Sequence, residues 1–95
     1  MRITGHIAHL GDRSVRLSDR ECALFAALLE HSEAPVAKRA LVRILNSRGV
    51  NLTEAQLAPY IFRLRLKIDV LRLQIVTVKG AGYVIVEGAA FKGAR

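Results

Sequence analysis

The chain has a single cysteine, Cys22, in 95 residues. That excludes an internal disulfide, supplies no metal-binding pattern, and fits a reducing cytoplasm. Acidic residues are few: eight Asp and Glu stand against fifteen Lys and Arg, a net charge of +7. A deficit of that size favours an anionic partner, nucleic acid ahead of a membrane surface, with simple solubilisation as the plainer alternative. No apolar run approaches the length of a membrane span, and the N-terminus lacks a signal-peptide core. There is neither an internal repeat nor a low-complexity tract. Asp12, Asp19, Asp69 and the glutamates form no close pair suited to acid–base chemistry, and His6, His9 and His31 lack metal-ligand company. An enzyme is therefore not expected, nor a metal, a cofactor or a small-molecule substrate.

What is present is hydrophobic material, 52% of the chain, enough for one modest core and not for two. A single domain over 1–87 is expected, followed by a flexible, small-residue-rich tail over 88–95 in which Lys92 and Arg95 add only non-specific attraction. Arg2 to Leu17 reads as strand material, with Ile3, Ile7 and Val15 among polar neighbours and Gly11-Asp12 turning between two short strands. Ser18-Asp19-Arg20-Glu21 is an S-x-x-E capping box, and Leu24, Phe25, Leu28 and Leu29 continue it as one apolar helical stripe. That helix should end near His31, ahead of Pro35. Cys22 lies beside the stripe as a core or boundary residue.

A second helix is expected from about Ala37 to Asn46, with Leu41, Ile44 and Leu45 inward and Gly49 as its left-handed exit. About ten irregular residues should follow. For the third helix, Thr53 and Gln56 could form a capping box, but Pro59 would then remove a hydrogen bond beyond the first turn. A start near Gln56 puts Pro59 where its missing N–H costs nothing, and the helix then runs about 57–70 with Leu57, Ile61, Leu64 and Ile68 inward.

Ile75 to Tyr83 reads I-V-T-V-K-G-A-G-Y. A β-branched run, a glycine-bearing turn and an aromatic restart describe a tight hairpin with one cation, Lys79, at its tip. Gly80-Ala81-Gly82 is too short for a phosphate-cradling loop and leads into a strand. A helix carrying Arg63, Arg65 and Lys67 precedes the hairpin, an order that suggests a helix in a DNA major groove with a wing beside it.

Three stretches together carry a family resemblance: Leu17-Ser18-x-x-Glu21 with Leu28-Leu29, Ile61-x-Arg63-Leu64-Arg65-x-Lys67-Ile68, and Ile75-x-Thr77-Val78-Lys79-Gly80-Ala81-Gly82-Tyr83. They resemble the opening helix, recognition helix and wing of the OmpR/PhoB-type winged-helix effector domains of response regulators. The match runs from about Val15 to Val86, with Lys79 where Arg is usual. The resemblance implies an α+β winged helix-turn-helix: short N-terminal antiparallel strands, three helices and a C-terminal β-hairpin wing. It further implies a bacterial, cytoplasmic, nucleoid-associated regulator of transcription that binds duplex DNA in a sequence-specific way, head-to-tail at direct repeats. Recognition helix 57–70 would enter the major groove and wing 75–86 would meet backbone or minor groove. The phosphorylatable receiver domain that normally precedes such a module has no room in 95 residues. The chain is either a stand-alone domain or a piece of a longer one.

Residue by residue, Arg63 is the cation nearest base edges, and Lys79 reaches a phosphate or a groove or else solvates a turn. Arg65 and Lys67 lie on the helix flanks, suited equally to phosphate and to solvent. Tyr60 either hydrogen-bonds a phosphate or packs, while Tyr83 belongs to the core. Lys38, Arg39 and Arg43 on the second helix suit the DNA backbone. One feature departs from the family pattern. Phe62, Leu66 and Val70 form an apolar i, i+4, i+8 stripe on the outer face, where basic or polar residues are common. Such side chains can touch thymine methyls but not phosphates. The alternative they raise is a protein-interaction or dimerisation module, its partner a second copy or RNA polymerase.

Overall fold

A computed structural model describes residues 2–87 of the chain. Strands β1 (Arg2–Thr4), β2 (Ile7–Leu10) and β3 (Arg13–Arg16) precede three helices: α1 (Asp19–Glu30), α2 (Lys38–Ser47) and α3 (Glu54–Ile68). A single 3-10 turn over Asp69–Leu71 leads into strands β4 (Leu73–Val78) and β5 (Gly82–Glu87). The first three strands form an antiparallel meander in the order β1-β2-β3, and the last two form a separate antiparallel hairpin. This is the winged-helix architecture that the motifs imply. The tail over 88–95, with Lys92 and Arg95, lies outside the described residues.

The N-terminal sheet has one strand more than the two expected. Gly5, at φ +61°, turns the chain before Gly11 does. A strand of three residues, Arg2-Ile3-Thr4, is too short for an alternation to show in sequence. The sheet closes onto α1 where the Leu17 N–H donates to the His6 carbonyl at 2.7 Å.

Helix α1 starts as its capping box dictates. The Glu21 N–H donates to Ser18 Oγ at 3.2 Å, and the Ser18 N–H donates to Glu21 Oε1 at 2.8 Å. Its C-cap is His31. Leu24, Phe25 and Leu28 are buried as the stripe predicts, while Leu29 is only half-buried. Helix α2 begins at Lys38, with Ala37 as an N-cap that offers no side-chain hydrogen bond. It ends in a Schellman motif: the Val50 N–H reaches the Leu45 carbonyl at 2.9 Å, and the Gly49 N–H reaches the Asn46 carbonyl at 3.1 Å. Gly49 sits at φ +85°, the left-handed exit expected of it.

Helix α3 corrects two boundaries. It begins at Glu54 rather than near Gln56, with Thr53 as N-cap, so the irregular chain between the helices is much shorter than ten residues. The Thr53 N–H donates to Gln56 Oε1 at 2.9 Å, and Pro59 lies inside the helix. The hydrogen bond that proline removes would have reached the carbonyl of Ala55, an exposed residue whose carbonyl can turn to water. Capping and the burial of Leu57 outweigh that loss. The helix also stops at Ile68, not Val70: the chain tightens into the 3-10 turn, and Arg72 at φ +61° swings it into β4.

Leu57, Ile61, Leu64 and Ile68 of α3 are buried against α1, α2 and the hairpin residues Ile75, Tyr83 and Ile85. The hairpin pairs Ile75 with Ile85 and Thr77 with Tyr83, leaving Lys79-Gly80-Ala81 as its tip. It starts at Leu73 and ends at Glu87, a little longer at each end than the expected 75–86. A bridge also docks it on the connector before α2. The Val36 N–H donates to the Tyr83 carbonyl at 2.7 Å and the Tyr83 N–H to the Val36 carbonyl at 2.9 Å. Among the described residues, no helix is long and apolar enough to cross a membrane.

Candidate nucleic-acid interface

Because α3 buries its Leu57/Ile61/Leu64/Ile68 face, helical geometry turns Phe62, Arg63 and Leu66 outward. Phe62 is 60% exposed and Leu66 65%. Val70, expected to extend this stripe along the helix, sits instead on the 3-10 turn, 44% exposed, and its carbonyl accepts a bond from Arg13 at 3.4 Å. The outer face of α3 is thus apolar, with one cation beside it.

That cation, Arg63, is exposed and stacks 5.7 Å from the centroid of the Tyr60 ring. Arg20, from α1, approaches the same ring at 5.7 Å and also donates to the Tyr60 hydroxyl. The Tyr60 ring packs against the core, and its hydroxyl, expected to face a phosphate if it did not pack, accepts instead from an arginine of the protein itself. Cation–π contact with Tyr60 limits where the Arg63 guanidinium can go. Arg20 was not singled out from sequence, and its 40-residue separation from Tyr60 explains why.

Two cations of α3 are turned back into the protein. Arg65 donates from Nε to the Ile75 carbonyl at 3.0 Å and from a terminal nitrogen to Thr77 Oγ1 at 2.7 Å, clasping β4 to the helix. Lys67 Nζ lies 2.7 Å from Oε1 of Glu21, a buried carboxylate on α1. Burial acts to raise the Glu21 carboxyl. Hydrogen bonds from Lys67 and Ser18, together with the Lys67 charge, outweigh it and hold the group below its ordinary 4.5.

Other expected site residues come together elsewhere. Lys38 and Arg39, at the start of α2, and Lys79, at the wing tip, line one open groove of about 580 Å³. Glu54 and Thr77 share that groove, and Arg39 Nε stands 3.8 Å from Glu54 Oε2 in an exposed pair worth little in water. Arg43 is exposed one turn further along α2. Among the described residues, Lys38, Arg43, Arg63 and Lys79 have no carboxylate within 4.0 Å.

Gly82 decides how the wing sits. Its φ is +129°, and a Cβ there would fall 2.0 Å from the Val36 carbonyl oxygen. Gly80, at φ +81°, has nothing within 4 Å of the same position. The close backbone approach that the glycines permit is thus made by Gly82 onto the protein's own connector. Among the described residues no group of three or more His, Cys, Asp or Glu could hold a metal ion. Cys22 is half-buried; burial, then the Asp19 and Glu21 carboxylates, push its thiol up, which makes it a poor nucleophile.

Residues 12–85 match the family model for the C-terminal domain of transcriptional regulatory proteins. Among solved structures, the chain is similar to the C-terminal domain of the nisin resistance regulator NsrR, a lantibiotic response regulator. The TM-score is 0.74 at 28% identity, over 86% of this chain and 93% of that one. No curated protein sequence matches the chain.

Proposed function

The chain belongs to the family of OmpR/PhoB-type transcriptional regulatory C-terminal domains, and from that premise we propose that it binds specific duplex-DNA sites to regulate transcription. Helix α3 enters the major groove, with Arg63 beside the base edges. Lys38 and Arg39, with Lys79 on the wing, hold phosphates on either side of their common groove, and Arg43 extends this contact along α2. The observation that carries the reading is that groove. Cations from α2 and from the hairpin tip, about 40 residues apart in sequence, converge on one groove that Glu54, the first residue of α3, also lines. A second copy bound head-to-tail at a direct repeat is the arrangement the family resemblance implies.

Selection of bound sequences from a random duplex pool tests the proposal. Enriched, directly repeated sites are expected, and a pool that stays random at low salt would contradict it. Arg63→Ala should reduce specific over non-specific binding by about 1–3 kcal/mol. The competing reading, a protein-contact module, is favoured by the exposure of Phe62, Leu66 and Val70. A tight dimer in light scattering that Leu66→Glu dissolves, with helical circular dichroism intact, would support it over DNA binding.

A further inference from the structure

We propose that Phe62 and Leu66 read thymine C5-methyl groups, so that the site this domain selects carries thymines at two fixed steps. The proposal rests on the DNA-binding reading above and names what the outer face of α3 recognises. Three observations support it. Phe62 and Leu66 are 60% and 65% exposed on the helix face turned away from the core. Arg65 and Lys67, the other cations of this helix segment, are fastened to Ile75, Thr77 and Glu21 and leave Arg63 as the cation beside the stripe. The groove lined by Lys38, Arg39 and Lys79, whose cations suit phosphate, also takes in Glu54 at the start of α3.

A helix held in the major groove by those cations presents two apolar side chains to the base edges. Of the groups displayed there, only the thymine methyl gains from apolar contact; the others are hydrogen-bond donors and acceptors that would be desolvated without a partner. A protein occupant fits less well. Three side chains fall far short of the roughly 20–30 residues a side that a stable interface recruits, and the cations around them suit a polyanion.

The geometry sets a spacing. Phe62 and Leu66 are four residues apart, about 6 Å along the helix axis at 1.5 Å per residue. With roughly 3.4 Å per base step, a helix lying along the groove places the two methyls about two base pairs apart. Burying one methyl's worth of apolar surface corresponds to about a fourfold change in affinity, and two to about fifteenfold.

The test uses the best duplex recovered by the random-pool selection, made once with thymine and once with deoxyuridine at every thymine. Uracil keeps base pairing and lacks only the methyl. The unmodified protein should bind the uracil duplex about fifteenfold more weakly. The Phe62→Ala/Leu66→Ala double variant should fold, since both side chains are exposed, and should distinguish the two duplexes by less than about twofold. Restoring methyls singly should recover affinity at two thymines about two steps apart. Equal binding of both duplexes by the unmodified protein would overturn the inference while leaving the DNA-binding reading intact. So would a uracil penalty undiminished in the double variant, which would assign the effect to duplex shape. A pool without enrichment overturns both, as would a dimer held together through Leu66.

Discussion

Glu21 is almost excluded from water, yet it accepts hydrogen bonds from the Ser18 N–H and from Lys67. One carboxylate thus caps α1 and ties it to α3. Its folded state holds the charged form more tightly than the unfolded chain does. The resulting stability is complete above the ordinary value of 4.5 and is lost as pH falls through the lower folded value. Chemical denaturation between about pH 6 and pH 3 should show stability falling with acid, and Glu21→Gln should flatten that fall. Glutamine can still serve as the return half of a capping box, so its cost at neutral pH should be about 1 kcal/mol, against about 2 kcal/mol for Glu21→Ala. Contacts of this kind escape a reading of the sequence. Lys67 and Glu21 stand 46 residues apart, so Lys67 looked as ready for phosphate as any exposed lysine. The pairing of Arg20 with Tyr60 escaped for the same reason.

The elements were legible wherever their signals are local. The Ser18–Glu21 box, the Gly49 exit and the Ile75–Tyr83 hairpin all appear where their residues place them, because caps and turns are decided within a few positions. At the start of α3 the sequence sets the Thr53–Gln56 box against the Pro59 penalty and favours the later start; the cap at Thr53 wins because the carbonyl freed at Ala55 is exposed to water. At the wing, the two glycines look alike in sequence and differ in structure. Gly82→Ala must displace the Val36 backbone and should cost about 3 kcal/mol. Gly80→Ala carries only left-handed strain, about 1 kcal/mol. Denaturation midpoints check the difference. Because the Val36–Tyr83 bridge seats the wing, Gly82→Ala should also weaken DNA binding more than Gly80→Ala does; equal effects would show that the bridge does not position Lys79.

Across the molecule, the seven basic residues expected at a DNA surface divide into two sets that composition does not distinguish. Arg65 and Lys67 are spent on internal bonds, whereas Lys38, Arg39, Arg43, Arg63 and Lys79 remain on the surface as candidates for DNA. The +7 net charge points to a polyanion, but only the fold shows which cations are free to meet one. Lys67→Met should lower stability with little change in the salt dependence of binding. Lys79→Ala should leave stability nearly unchanged and make the slope about 0.9 less negative. The most direct test of DNA binding through this surface is the affinity for a selected duplex measured across a range of salt concentrations. Four phosphate contacts, from Lys38, Arg39, Arg43 and Lys79, predict a log–log slope of about −3.6. A slope near zero, or no binding to any duplex at low salt, would contradict it.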